Sequence, residues 1–148
     1  MRMEMEIQLT NTPIAEQLPA PRSSVGAGAW VEFRGVVRGE ENGRPIAALE
    51  YEAYSPMAEM EMRRLLVELA MGQPCLFVRA IHCIGMVPVG EAAIYVGIAA
   101  RHRAEAFSLL TGFMNRLKQD VPIWKRRALA AVELADMKNQ VTLPAAHT

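Results

Sequence analysis

Two lysines on either side of a proline are the strongest chemical signal in this chain. Lys118 and Lys125 flank Pro122 within the run from Leu117 to Arg127. Proline cannot continue a helix, because its ring clashes with the preceding turn and it has no N–H to donate. We therefore predict a helix that ends near Lys118, a turn at residues 119–121 and an extended segment that brings the two ammonium groups together. Such a pair is suited to binding an anion, although a helix C-terminus rich in cations, followed by a solvated basic strand, is equally compatible with the run alone.

A second basic cluster, Arg101-His102-Arg103, opens the helix predicted over residues 101–118. The first turn of a helix carries unpaired N–H groups and the positive end of the dipole, so basic side chains there predict an anion site of the kind used for phosphate. The alternative for His102 is a structural imidazole.

His102 and Lys118 are separated by about 24 Å along one helix. If both contact one substrate, they must come from different chains, which predicts a composite site between the two copies of a homodimer.

The composition is that of an ordinary globular protein. The 148 residues carry 16 basic and 16 acidic side chains and are 51% apolar. We expect one domain over residues 1–148, without the basic bias of a nucleic-acid-binding protein. Cys75 and Cys83 have no metal-ligand or Cys-x-x-Cys spacing, which favours core thiols in a reducing compartment, with no metal or cofactor expected. No apolar run is long enough for a membrane span or a signal peptide, so no membrane partner is expected and the cytoplasm is the predicted location.

Hydrophobic periodicity predicts how these residues are held. Alternation over residues 3–9 indicates a strand. Strands at Ala29–Val37 and Ile46–Ala53 are predicted to form one hairpin, and strands at Cys75–Ile84 and Ala92–Ala100 a second. Ser55-Pro56 should start the first helix, with the serine as its cap and the proline at its first position. Weaker patterns predict a brief helix at 12–18, a loop at 19–28, a turn-rich connection at 85–91, a helical segment at 128–138 and a frayed tail at 143–148. Antiparallel hairpins with two main amphipathic helices indicate the α+β class.

Six blocks of sequence carry a resemblance to a known family. They are Gly28-Ala29 with Phe33 to Arg38, Leu49 to Tyr54 with Met57-Ala58, Ile81-His82 with Ile84-Gly85, Val89 to Glu91, Ala100 to Phe107, and Leu117-Lys118 with Val121 to Lys125. Together they cover about residues 28 to 126 in order. The chain resembles the large, catalytic subunit of molybdopterin synthase. The resemblance implies a hammerhead-type α+β fold and leaves residues 129–148 as a variable C-terminal segment.

The resemblance also implies a reaction and its partners. Members of this family add two sulfurs to cyclic pyranopterin monophosphate and so form the dithiolene of molybdopterin. Each sulfur arrives as a thiocarboxylate on the C-terminal Gly-Gly tail of a small ubiquitin-like subunit, and a homodimer of large subunits forms the core of a heterotetramer. The family's catalytic lysines match Lys118 and Lys125. Substrate binding is assigned by the resemblance to Val36, Val37, Arg38, His102 and Arg103, and the partner-tail pocket to Phe33 and Met114.

The residue types suit this chemistry. A thiocarboxylate is already a sulfur nucleophile, so the large subunit needs no cysteine of its own. Ammonium groups crowded beside Arg126 and Arg127 repel one another, which favours a neutral amine on one of them. We assign Lys118 to attack on, or orientation of, the tail carbonyl and to proton transfer, and Lys125 to stabilising oxyanion and phosphate charge, roles that are interchangeable at this stage. Arg126 and Arg127 are expected to strengthen substrate binding.

Departures from the family pattern leave two alternatives in view. Cys83 stands where the family usually has arginine, Arg127 stands where it usually has glutamate, and the usual glycine- and tryptophan-containing tail is missing. One alternative is a noncatalytic relative that binds the small subunit as a scaffold. The other is an unrelated anion- or nucleotide-binding module, which the sequence disfavours because it has no glycine-rich phosphate loop.

Overall fold

The computed structural model describes residues 2–18, 20–21 and 25–142. The loop predicted at 19–28 is therefore described only in part, and the tail at 143–148, predicted to be frayed, lies outside the described residues. The strands are β1 (Glu4–Thr10), β2 (Ala29–Val36), β3 (Glu40–Glu41), β4 (Arg44–Pro45), β5 (Ala48–Ala53), β6 (Phe77–Cys83), β7 (Gly85–Pro88), β8 (Ala92–Ala100) and β9 (Ile123–Leu129). The helices are α1 (Met57–Ala70), α2 (Arg103–Asp120) and α3 (Ala131–Thr142), with a short 3₁₀ helix at Ile14–Glu16.

The larger sheet has four strands in the order β1-β6-β8-β2. β1 pairs with β6 in parallel, whereas β6 pairs with β8, and β8 with β2, in antiparallel fashion. β1 alternates between exposed and half-buried residues, as its sequence pattern predicts for an edge strand with one covered face. The central strand β8 is buried over almost its whole length, which explains its unbroken run of small and branched apolar residues.

Helices α1 and α2 cover one face of this sheet and form the main core with it. Met62 and Leu65 of α1 and Leu109 and Phe113 of α2 are fully buried, together with Val96 of β8. Both helices are predicted from apolar residues that repeat every three to four positions. Those apolar residues are the ones that α1 and α2 bury against the sheet. The α+β class is therefore confirmed.

A second sheet has three strands in the order β7-β5-β9. A smaller core lies between this sheet and the larger sheet. The predicted hairpin between residues 29–37 and 46–53 is wrong, because β2 pairs with β8 and β5 pairs with β7 and β9. Residues 40–45 form a separate two-stranded ladder between them. The second predicted hairpin is confirmed by the β6–β8 pairing, although part of the intervening connection forms β7. Strand pairing follows which faces can be buried together, so adjacency in sequence was an insufficient guide.

The helix starts differ in detail from the predictions. Pro56, and not Ser55, occupies the N-cap position of α1, and the Ser55 hydroxyl donates instead to the Glu59 carboxylate at 2.9 Å. The predicted serine cap is therefore wrong. α3 begins three residues later than predicted, and its Glu133 carboxylate accepts a hydrogen bond from the Ala130 N–H at 3.0 Å. Within the described residues, no helix is long and apolar enough to cross a membrane.

Candidate active site

The bend that the proline predicted lies at the end of α2. The helix continues to Asp120, two residues beyond Lys118, and Val121 then adopts an extended backbone before β9 begins at Ile123. Leu117 and Val121 are buried in the main core and fix the end of the helix. The bend around Pro122 is confirmed. Leu117 and Val121 before the proline and the half-buried Ile123 after it pack against the same core, which holds the helix and the strand in place.

A cavity of about 480 Å³ opens beside this bend. Its volume lies within the range of roughly 300–1,000 Å³ that is usual for small-molecule sites. Its lining comprises Phe33, Gly35, Val36, Tyr51, His82, Ala93, Ile94, Met114, Leu117, Lys118, Ile123, Trp124 and Lys125. Of the residues assigned to catalysis and to the partner tail, both lysines and both apolar residues, Phe33 and Met114, therefore line one cavity.

Lys125 has a carboxylate partner that the sequence did not predict. Its ammonium nitrogen lies 3.2 Å from both oxygens of Glu41, which comes from the short strand β3. The lysine side chain is 48% exposed and the glutamate side chain 23% exposed, so water screens the pair in part. Glu41 thus occupies the position at Lys125 that an anionic ligand would take.

A β-bulge places both arginines of β9 against a second carboxylate. Tyr51 pairs with Lys125 and Glu50 pairs with Arg127, so Arg126 is the extra residue between them. The Arg127 Nε donates to a Glu50 oxygen at 2.6 Å, and an Arg126 nitrogen lies 4.0 Å from the other Glu50 oxygen. The repulsion expected among these cations is offset in part, because two carboxylates, from β3 and β5, lie among them. Neither arginine lines the cavity.

His82 lines the cavity and received no role from the sequence. It is 6% exposed, and its Nδ1 lies 2.7 Å from the backbone oxygen of Cys83. The ring meets Tyr51 edge-on, with 5.1 Å between ring centroids. Burial lowers the pKa of His82, and it raises the pKa of Tyr51 with a further contribution from the negative charge of Glu41. The available signal was a polar residue on the face of β6 whose other members, Val78 and Ala80, are apolar.

Of the remaining residues assigned to substrate binding, Val36 lines the cavity and is 51% exposed. The others do not line it. The Val37 side chain is buried in the smaller core, and Arg38 is exposed just beyond the end of β2. His102 and Arg103 lie at the opposite end of α2, about 24 Å from Lys118 by helix rise. One chain therefore does not bring these two groups of cations together.

The start of α2 already contains an acidic group. The Glu105 carboxylate accepts a hydrogen bond from the His102 N–H at 3.2 Å, and it lies 3.4 Å from the His102 ring. An acid in the first turn of a helix satisfies free N–H groups and complements the dipole. A carboxylate of the helix itself therefore offsets part of the positive charge at this end, and the His102 ring stays exposed.

Neither cysteine is placed to take part in sulfur chemistry. Both are free and buried, and neither lines the cavity. Burial raises the pKa of Cys75 to about 11 and also raises the pKa of Cys83, so both thiols stay protonated near neutral pH. In the part of the chain that the structure describes, no three His, Cys, Asp or Glu side chains form a group able to hold a metal ion.

The protein is thus an α+β protein whose cavity is lined by two lysines and by no cysteine. Comparison with known proteins identifies the family. The family model described as MoaE protein matches residues 7–120, and the chain belongs to this family.

The most informative relatives agree with this assignment. The chain is 37% identical over 99 residues to the Homo sapiens molybdopterin synthase catalytic subunit, covering 67% of this chain and 53% of that protein. It is 40% identical over 111 residues to the Pyrococcus abyssi molybdopterin synthase catalytic subunit, covering 75% of each chain. The crystal structure of molybdopterin synthase from Staphylococcus aureus matches with a TM-score of 0.70 at 32% identity, covering 83% of this chain and 88% of that one. The chain spans about half the length of the mammalian relatives it matches.

Proposed function

We propose that this chain is the catalytic subunit of a molybdopterin synthase. It transfers sulfur from the C-terminal thiocarboxylate of a small ubiquitin-like subunit to cyclic pyranopterin monophosphate and forms the dithiolene of molybdopterin. The observation that carries this proposal is the convergence of Lys118 and Lys125 on one cavity that Phe33 and Met114 also line. Relatives named molybdopterin synthase catalytic subunit support it, and nothing in the comparisons favours the noncatalytic alternative.

The cavity divides the chemistry between its two lysines. Lys125, held opposite Glu41, supplies positive charge for the oxyanion that develops on the tail carbonyl and for the substrate phosphate. Lys118 extends from the last turn of α2 and is placed to orient or attack that carbonyl and to transfer a proton. The apolar wall of Phe33 and Met114 receives the Gly-Gly tail and removes water from around the reacting carbonyl. Sulfur comes from the tail, so the buried thiols of this chain are spectators.

Substrate binding is completed by a second copy of the chain. Arg38, His102 and Arg103 are suited to the phosphate of the substrate, but the latter two lie about 24 Å from Lys118 along α2. A twofold homodimer that places the start of α2 beside the partner's cavity brings them together. Two small subunits bound to this homodimer give the proposed heterotetramer.

The protein works in the cytoplasm in this proposal, which the two free, buried cysteines support.

Reconstitution tests the activity directly. Purified protein, thiocarboxylated small subunit and cyclic pyranopterin monophosphate should yield molybdopterin, and Lys118→Ala should lower the rate by at least about 100-fold. Lys138→Ala is the matched control, because it removes the remaining lysine of the chain from α3, away from the cavity. A natural protein that binds the small subunit and forms no product would instead establish the scaffold alternative.

Mixing two inactive variants tests the composite site. A heterodimer of Lys118→Ala and Arg103→Ala contains one site with both substitutions and one intact site. Random exchange makes about half of the dimers mixed, and half of their sites are intact, so about a quarter of the natural activity should return. Activity that stays at the level of the separate variants after confirmed subunit exchange would refute the shared site.

A further inference from the structure

His82 lies where the buried face of the larger sheet opens into the cavity. Alternate residues of a strand share a face, so His82 faces the same side of β6 as Val78 and Ala80. Those two residues are fully buried beneath the helices. His82 is the next on that face, and it lines the cavity together with its cross-strand neighbour Ile94 and with Lys118 from α2. A polar side chain here replaces the apolar one that the strand pattern would supply.

The hydrogen bond to the backbone fixes which ring nitrogen carries the proton. The Cys83 carbonyl oxygen can only accept, so His82 Nδ1, at 2.7 Å, must be the donor. Burial lowers the pKa of His82 and keeps the ring neutral near pH 7. Nε2 therefore carries a lone pair. The edge-on contact with Tyr51 further fixes the ring plane.

The two lysines of the cavity differ in what faces them. Lys125 is paired with Glu41. For Lys118, no carboxylate among the described residues lies within ion-pair distance. When the partner tail fills the cavity, the Lys118 ammonium loses water, and a buried ammonium is costly unless it donates hydrogen bonds. A fixed neutral acceptor on the wall of the same cavity meets that need.

We propose that His82 Nε2 accepts a hydrogen bond from the Lys118 ammonium when the cavity is occupied, and that His82 is thereby a positioning residue for sulfur transfer. This rests on the function proposed above and adds a residue to the same site. A neutral acceptor orients the ammonium without the full charge that Glu41 presents to Lys125. The two lysines are thus held by different groups, which suits them to different roles.

Two substitutions separate this role from a structural one. His82→Asn places an amide nitrogen near the position of Nδ1, so it can still donate to the Cys83 carbonyl, but it has no acceptor at the position of Nε2. His82→Gln reaches the position of Nε2 with an acceptor oxygen. A structural role predicts that Asn is tolerated at least as well as Gln, whereas the positioning role predicts the opposite order.

We expect His82→Gln to keep kcat within about threefold of the natural protein and His82→Asn to lower it by about 10- to 100-fold, with a small change in KM for the small subunit. The natural protein is assayed first, because its inactivity would overturn the proposed function and this role with it. An active natural protein with equal kcat for both variants, or a higher kcat for Asn than for Gln, overturns only the role of His82.

A spectroscopic measurement covers the case in which a variant fails to fold. In the natural protein, the ¹⁵N resonance of His82 Nε2 should move when the small subunit with a Gly-Gly carboxylate terminus binds. The same titration of Lys118→Ala should leave that resonance in place. Binding that leaves it unmoved in the natural protein, or that moves it equally in Lys118→Ala, overturns the proposal without any reference to turnover.

Discussion

Removal of the Glu41 carboxylate should strengthen the binding of an anionic ligand at Lys125. Both Glu41 oxygens lie 3.2 Å from the lysine nitrogen, so an incoming carboxylate or phosphate has to displace them. The Glu41 side chain is 23% exposed and the Lys125 side chain 48% exposed. Ion pairs that are partly solvated in this way contribute about 0.2–1 kcal/mol to stability. If the ligand must break this pair, Glu41→Gln should lower Kd by about 1.4- to 5-fold. The variant should lose no more than about 1 kcal/mol of unfolding free energy.

Calorimetric titration with the small subunit ending in a Gly-Gly carboxylate measures this effect. Glu40→Gln is the matched control, because it removes the same charge from the preceding, exposed residue of β3. The difference between the two variants should shrink at about 1 M salt, where the Debye length falls to about 3 Å. Since the charge of Glu41 helps to raise the pKa of Tyr51, Glu41→Gln should also lower the pKa of that phenol toward its ordinary value. Equal Kd values for the two variants, or weaker binding by Glu41→Gln, would refute displacement of the carboxylate.

Three further outcomes follow from burial and packing. Phe113→Ala should lower the unfolding free energy by about 3–5 kcal/mol in urea titrations, because its ring is fully buried, whereas Phe107→Ala on the exposed side of α2 should cost less than about 1 kcal/mol. Gly35→Ala would bring a methyl group within 2.8 Å of the Ile94 side chain, so it should weaken small-subunit binding measured by titration, and Gly39→Ala, with 3.9 Å to its nearest atom, should not. The pKa of His82 is lowered by folding, so its contribution to stability is present above the unfolded pKa of about 6.5 and is lost as pH falls below it. His82→Asn should therefore flatten this acid loss, which in the natural protein has a slope of up to about 1.4 kcal/mol per pH unit in denaturant titrations; equal slopes would contradict the assignment.

Local patterns predicted most of the helices and strands because their causes are local. The alternation in β1, the apolar stripes of α1 and α2 and the break at Pro122 each depend on residues within a few positions of one another. The predicted cap of α1 at Ser55 was wrong, because the serine hydroxyl donates to the Glu59 carboxylate one turn ahead and does not cap the free N–H groups of the helix. Errors of this size are set by competition between nearby hydrogen-bond partners.

The pairing of strands depended on the whole molecule. Only the short β3–β4 ladder separates β2 from β5 in sequence, yet they belong to different sheets, because apolar residues of β2 pack against the main core and Leu49 of β5 is buried in the smaller one. No pattern within residues 29–53 contains that information. The hairpin prediction failed for this reason, while the β6–β8 prediction succeeded because both strands are central and buried in the same sheet.

The sequence alone determined that two lysines flank a forced bend and that no cysteine has a metal or redox spacing, because both statements concern neighbouring residues and their chemistry. Only the tertiary structure decided which groups face those lysines. Glu41 is 84 residues from Lys125 and Glu50 is 77 residues from Arg127, and His82 reaches the cavity through the register of a central strand. Charge partners and cavity walls arise from long-range packing, which is why the cations of residues 125–127 lie beside carboxylates of β3 and β5 in the folded protein.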